Sequence, residues 1–127
     1  MLTQGDLELL REPQFGIVAT NSPAHAPQQT PVWIDTDGEN VIFNTSKGRI
    51  KHRNLIADPR VSICVVDSKN PYRWLSIRGV ADFIEAGADE HIDFLAKKYL
   101  DVERYPDRKP GEVRVIVKVR PERRSGS

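Results

Sequence analysis

VIFNTSKGRIKHRNLIADPRVSI, residues 41–63, changes its hydrophobic rhythm twice. Val41, Ile42 and Phe43 are β-favouring, and with Asn44 and Thr45 they read as a strand over 40–45 that ends in polar residues. KGRIKHRNLIA (47–57) is rich in helix formers and stops before Asp58-Pro59, because a residue preceding proline avoids the α region. Val61, Ile63 and Val65 alternate through RVSICVVD (60–67), as one face of another strand does. The short turns and hairpins that join the other strands of the chain make the sheet mainly antiparallel by expectation.

The flanking sequence extends the pattern. Upstream, Thr3 and Asp6 mark a helix start, Leu7 and Leu10 give it an apolar side, and Pro13 ends it. FGIVAT (15–20) reads as a strand, NSPAHAPQ as a turn, and QTPVWI (29–34) as a strand whose Pro31 suits an edge or a bulge. DTDGEN (35–40) is the turn expected to pair that strand with 40–45. Downstream, RWLSIRGVADFIE (73–85) reads as a long strand bent at Gly79. Ala88–Leu100 is the clearest helix, with Ile92, Leu95, Ala96 and Tyr99 at i, i+3, i+4 and i+7. Its acidic start at Asp89 and Glu90 and basic end at Lys97 and Lys98 suit the helix dipole. In EVRVIVKVRP (112–121), Val113, Val115, Val117 and Val119 alternate with Arg114, Ile116, Lys118 and Arg120, the mark of a half-exposed strand. The expected architecture is α+β: a small, six-stranded, mainly antiparallel β-barrel with peripheral helices, which the family resemblance described below makes a split β-barrel. It forms one domain over residues 1–121, followed by a flexible tail at 122–127.

Composition narrows the function. The 127 residues are 39% hydrophobic and 29% charged, with a formal net charge of +1. That balance disfavours a nucleic-acid coat and makes any positive field local. A single cysteine, Cys64, permits no intrachain disulfide and no zinc pattern, and reads as a small core residue. No apolar run reaches the ~18 residues of a membrane span. The N-terminal MLTQGDLELLREP is too polar for a signal peptide, so a cytoplasmic location without membrane association is expected.

The local field sits in the opening stretch. Lys47, Arg49, Lys51, His52 and Arg53 crowd the start of a helix, where unpaired N–H groups and the dipole already make that end positive. Each misplaced charge costs about 0.3–1 kcal/mol, a cost that an anion bound there reverses. With a hydroxyl from Thr45 or Ser46, the junction suits a phosphate or carboxylate. A solvated charged helix face is the competing reading. Of the histidines, His25 lies in a turn, His91 reads as a surface or rim residue, and none has metal-ligand spacing. Trp33, Tyr72 and Trp74 could flank a planar ligand or simply pack. No set of acid, base or metal ligands emerges, which points to a bound cofactor as the source of chemistry.

FGIVAT, APQQTPVWI, the DG turn, VIFNTSKGRIKHRNLIADPRVSI and YRWLSIRGVADF occur in an order and spacing that resembles a known family. This is the pyridoxamine-phosphate-oxidase-like superfamily of split-barrel flavin and deazaflavin oxidoreductases, specifically its actinobacterial branch using coenzyme F420. The resemblance covers roughly residues 5–120. It implies a homodimer with cofactor sites at the subunit interface. It implies that Arg49 and Lys51 hold the cofactor phosphate, and that Asn44, Thr45 and Ser46 lie along the ring system. Gln28 and Thr30 would approach the ring or its side chain, Tyr72 and Trp74 would close the pocket from the partner, and Arg78 would meet the acidic tail. The activity implied is hydride transfer from reduced F420 to a small organic acceptor, with no catalytic residue of the protein's own. FMN-dependent chemistry on the same fold, a non-catalytic F420-binding protein and a small nucleic-acid-binding barrel are the rival readings.

Overall fold

The computed structural model describes residues 1–127. The elements in chain order are α1 (Gln4–Arg11), β1 (Phe15–Thr20), β2 (Gln28–Trp33), β3 (Asp35–Thr36), β4 (Val41–Ser46), α2 (Ile50–Ala57), β5 (Arg60–Val66), β6 (Trp74–Ile84), α3 (Ala88–Leu100) and β7 (Arg114–Gly126). The strands form one antiparallel sheet in the order β2-β1-β5-β6-β7-β4-β3. β2 and β3 are joined by Ile34 alone, yet they lie at opposite edges of the sheet. The sheet therefore curls until its two edges meet at that residue, giving a split barrel of seven strands. None of its helices is long and apolar enough to cross a membrane.

The seventh strand corrects the expected hairpin. β2 pairs only with β1, and the short β3 pairs with β4 in its place. The turn tightens to residues around Gly38, which takes φ +98°, with Asp37 Oδ1 accepting from the backbone N–H of Glu39 and Asn40. Pro31 has no N–H to donate, and it sits on the edge strand β2, where a missing ladder bond is tolerated.

The inner face is apolar, as the alternation requires. Val18, Phe43, Ile63, Ile77, Val117 and Val119 are all buried to within 1% or better. α1 plugs one end with Leu9 and Leu10, and its start is fixed by a reciprocal capping box between Thr3 and Asp6. Two small features depart from the alternation reading. Cys64 lies opposite Ile17 on the outer face and is only half-buried. Val113 is exposed ahead of β7, and Arg114 is buried in its stead.

The C-terminal residues are strand. β7 continues past Pro121 to Gly126, and its register shifts where Arg78 gives way to Gly79. A Cβ on Gly79 would lie 2.0 Å from the Arg120 carbonyl oxygen, so the close approach at this bulge requires glycine. The polar composition of ERRSGS suggested a free tail, but Arg124 grips Asp6 of α1 through Nε at 2.5 Å and Nη2 at 2.7 Å. Burial alone would push the Asp6 carboxyl up. The bonds from Arg124 and Thr3 outweigh it and hold the carboxyl below its usual range.

α3 closes the seam where the barrel edges meet. Tyr99 Oη accepts from Ile34 N–H at 2.8 Å and donates to the Gln14 carbonyl. Lys98 Nζ donates to the carbonyls of Ile34 at 2.6 Å and Leu10 at 2.7 Å. Burial pushes the Tyr99 hydroxyl up to about 12 and the Lys98 ammonium down to about 8. Lys98, placed by the charge pattern at the basic end of the helix, is an internal pin. Lys97 takes the surface role with Asp101 and Glu103.

Two outcomes are expected from this architecture. Arg124→Ala should lower stability by on the order of 2–3 kcal/mol, because it strands a buried carboxylate. Asp6 titrates below its unfolded value, so its contribution is present at neutral pH and fades as pH falls through the folded value; the variant should lack that acid-side loss in denaturant titrations. Lys98→Met should also destabilise the fold, by about 1–3 kcal/mol, because two buried carbonyls lose their donor. Lys98 binds its proton less tightly folded than unfolded, so wild-type stability should rise relative to the variant between pH 8 and 10.5, a gap that paired urea melts would read.

Candidate functional site

The seam opens, beside Ile34, into a cleft of ≈ 250 Å³ between the edge of β2 and the end of β4. Pro31 and Trp33 form one wall, Asn44 and Arg114 the floor, and Arg49 and Lys51 one end. α2 supplies the basic end because its first turn begins at Ile50, later than the expected 47, with Arg49 as the residue before it. The delay has a physical cause: Gly48 takes φ +88°, a turn conformation that breaks the helix path. No side chain caps this helix, and no acidic residue lies in its first turn. Its N–H groups and its dipole both favour an anion.

The five basic residues of the stretch separate. Lys47 pairs with Glu85 at 2.8 Å on the surface. His52 accepts from Gly48 N–H at 3.1 Å and packs edge-on against Phe83. Burial, followed by the charge of Lys47, pushes the His52 imidazole down. Arg53 is exposed. Arg49 and Lys51 line the cleft, and neither engages a carboxylate. Lys51 is 9% exposed. Burial lowers its ammonium most, and the charges of Arg49 and Arg114 lower it further.

Arg114 is the residue that the sequence pattern concealed. Its place in the alternation of β7 assigned it to solvent, yet only 7% of it is exposed. Nε donates to Glu112 at 2.6 Å, Nη1 reaches Asn44 Oδ1 at 3.4 Å, and the guanidinium lies 4.7 Å from the Tyr105 ring centre. Tyr105 is held there because its N–H donates to Asp93 at 2.8 Å and its ring meets Trp33 edge-on at 5.9 Å. Trp33 in turn stacks on Tyr99 at 5.2 Å. The available signal was Glu112, two residues before Arg114, since a carboxylate at that spacing can neutralise an inward guanidinium. Tyr105 and Asp107, which also line the cleft, lie in a polar loop with no periodicity to expose them.

Five buried side-chain atoms have no hydrogen-bond partner: Gln28 Oε1, Thr30 Oγ1, Thr45 Oγ1, Ser46 Oγ and Arg114 Nη2. Each such atom costs about 1–3 kcal/mol unless something satisfies it. Four belong to residues that the sequence assigned to the site, on β2 and the end of β4. The fifth is the guanidinium of the cleft floor.

The remaining assigned residues lie elsewhere on the chain. Tyr72 is 85% exposed in the turn before β6, and Trp74 starts that strand opposite Val66. Arg78 is exposed on the outer surface of β6 beside Arg123, in a separate shallow depression. A single chain does not bring these three to the cleft. His91, expected at the surface, is tucked between Asp35 and Asn44 behind it.

The cleft thus combines an apolar and aromatic wall, the Asn44 amide, and three cations at its floor and end. Such a set holds a flat, phosphate-bearing molecule. Comparison with known proteins agrees on the fold. Comparison with curated proteins finds no match. A solved structure described as an F420 reductase superposes with a TM-score of 0.83 at 33% identity, covering 98% of both chains. A protein from Listeria innocua described as a putative pyridoxamine 5'-phosphate oxidase gives 0.73 at 20% identity, covering 94% of this chain and 93% of that one. A conserved hypothetical protein from Mycobacterium tuberculosis gives 0.73 at 23% identity, covering 98% and 83%. The family described as pyridoxamine 5'-phosphate oxidase matches residues 2–126, essentially the whole of the barrel. By fold and by sequence, the chain belongs to that family.

Proposed function

We propose that this protein is an oxidoreductase that binds coenzyme F420 in the cleft and passes a hydride from its reduced form to a small organic acceptor. The carrying observation is the convergence of three cations, Arg49, Lys51 and Arg114, on one cleft, with unpartnered buried polar atoms on the two strands that bound it. The 33% identical F420 reductase supports the choice of coenzyme. Arg49, Lys51 and the uncapped start of α2 hold the phosphate. Asn44, Thr45, Ser46, Gln28 and Thr30 align the ring system, and Trp33 and Pro31 exclude water from one side. The bound coenzyme supplies the hydride chemistry, and the protein supplies orientation and a shielded face.

A homodimer follows from the same reading. Phe15 and Pro31 line the cleft, and with Ile17 they also form an exposed apolar patch on the outer face of β1 and β2. A second copy packed there would cover the open side of the cleft and could bring its own Tyr72 and Trp74 to it. One cysteine in the whole chain suits the reducing cytoplasm.

Arg49→Ala and Lys51→Ala should each weaken coenzyme binding by about 1–3 kcal/mol, as a lost charge-assisted contact does. Titrating purified protein with F420 and with FMN, read by tryptophan quenching, measures this. Preference for FMN would change the chemistry while keeping the clamp. Undiminished affinity in both variants would sink it. Lys51→Met should raise the melting temperature while binding weakens, because it removes one of three mutually repelling charges.

A further inference from the structure

Behind the cleft floor, a line of side chains connects β3 to Arg114. Asp35 Oδ2 lies 3.1 Å from His91 Nε2, His91 Nδ1 lies 3.2 Å from Asn44 Nδ2, and Arg114 Nη1 lies 3.4 Å from Asn44 Oδ1. The orientation of the Asn44 amide is fixed without reference to the histidine. Its Nδ2 donates at 2.9 Å to the Ala88 carbonyl, which can only accept, and its Oδ1 faces a guanidinium, which can only donate. His91 Nδ1 therefore meets an N–H group and accepts. That assigns the neutral Nε2–H tautomer, which donates to Asp35.

The two partners of His91 demand different roles of its two ring nitrogens. The Asp35 carboxylate at 3.1 Å takes an N–H from Nε2, whereas the amide N–H tolerates only a lone pair on Nδ1. A proton on Nδ1 would set donor against donor. The Asn44 amide would then have to turn over, giving Oδ1 to His91, losing the Ala88 bond and placing Nδ2 against the Arg114 guanidinium. The charged groups around the ring are few. Asp35 on β3 touches it, and Arg114 on β7 is one hydrogen bond away through β4. Lys98 of α3 acts on Asp35, and Lys118 of β7 is turned to Asp37 at 3.6 Å. Asp89 of α3 is drawn to Arg108 at 3.5 Å, and Phe94 stacks on the imidazole at 6.5 Å.

We infer that His91 is a positioning residue for the cleft: its neutral imidazole locks the Asn44 amide, and through it the guanidinium that Arg114 presents to a bound anion. Protonation of His91 loosens that arrangement. An imidazolium also adds positive charge near the cleft, which by itself would strengthen anion binding, so the sign of the pH effect separates positioning from simple attraction.

The coupling itself is read in the ligand-free protein, independently of the proposed coenzyme. In ¹⁵N-labelled protein, His91 should show the Nε2–H tautomer at pH 7.5. The Asn44 side-chain amide and Arg114 Nε–H signals should move together with the His91 ring-nitrogen signals when the imidazole is protonated. They should stay still in His91→Asn, which keeps an acceptor where Nδ1 lies; should His91→Asn fail to fold, Asp35→Asn should weaken the preference for the Nε2–H tautomer, because it removes the carboxylate to which Nε2–H donates. An Nδ1–H tautomer, or Asn44 and Arg114 signals that ignore His91, would overturn the inference. The binding consequence rests on the function proposed above. The ratio of wild-type to His91→Asn affinity, measured with F420 and with FMN, cancels each ligand's own titration. It should fall roughly three- to tenfold from pH 7.5 to 5.5, about the worth of one hydrogen bond. A flat or rising ratio would refute positioning of the anion. Binding of neither ligand would defeat the proposed function, while the ligand-free spectra still decide the role of His91.

Discussion

Ile34 carries the chain from one edge of the sheet to the other while fully buried. Its N–H and carbonyl have no strand on which to pair, and buried backbone groups must be paired. α3 solves this with two side chains, the Tyr99 hydroxyl and the Lys98 ammonium. Much else follows from that contact. It fixes α3 across the outer side of β4 and β7, with Ile92, Leu95 and Ala96 buried beneath it. It brings His91 to Asn44 at one end of the helix. Through Asp93 it draws Tyr105 down over Arg114. The cleft is the opening left where β2 and β4 cannot pair, and α3 furnishes the rest of its walls.

The same cleft holds interactions that a fold selected for stability alone would avoid. Three cations face one another, a helix starts without a side-chain cap, and Arg114 Nη2 in the cleft floor is buried without a partner. Elsewhere the chain satisfies its groups closely: Asp6 has Arg124 and Thr3, Asp67 has Arg73 and Gln14, and Asp93 has Tyr105 and Arg108. Locally consistent sequences break their own rules chiefly where function requires it. The contrast within one small barrel is a stronger argument for the cleft as the candidate site than the size of any cavity.

Those rules also explain what could be read from the sequence. α1, α3 and the strands with clean alternation were legible because period and capping are local signals. The violated charge rule at the start of α2 marked Arg49 and Lys51 for the same reason. The break at Ile34 was not legible. QTPVWI and NVIFNT flank a DG turn and look like a hairpin, and only closure of the whole sheet sends β2 to the opposite edge. Arg114 and His91 were misassigned because alternation and helical position say which face a residue is on, not what covers that face. The C-terminal strand was missed because its partner, Leu75 to Arg78, lies some fifty residues earlier, and its polar composition carries no β signal of its own. Arg78, and the placing of Tyr72 and Trp74 over the pocket, came only from family resemblance, and one chain alone does not gather them.

Lys98 and Lys51 show how the structural and binding roles of a buried charge can be told apart. Burial lowers the proton affinity of both, so the direction of the shift does not separate them. Their acceptors do. Lys98 points at two carbonyls of its own chain at 2.6 and 2.7 Å, and its ammonium is matched within the fold. Lys51 has no acceptor from the chain, only the like charges of Arg49 and Arg114 and the open side of the cleft. A desolvated ammonium among cations raises the energy of the free protein, and a bound anion lowers it again, so the difference appears as affinity. By that criterion Lys98 belongs to the architecture and Lys51 to the candidate site.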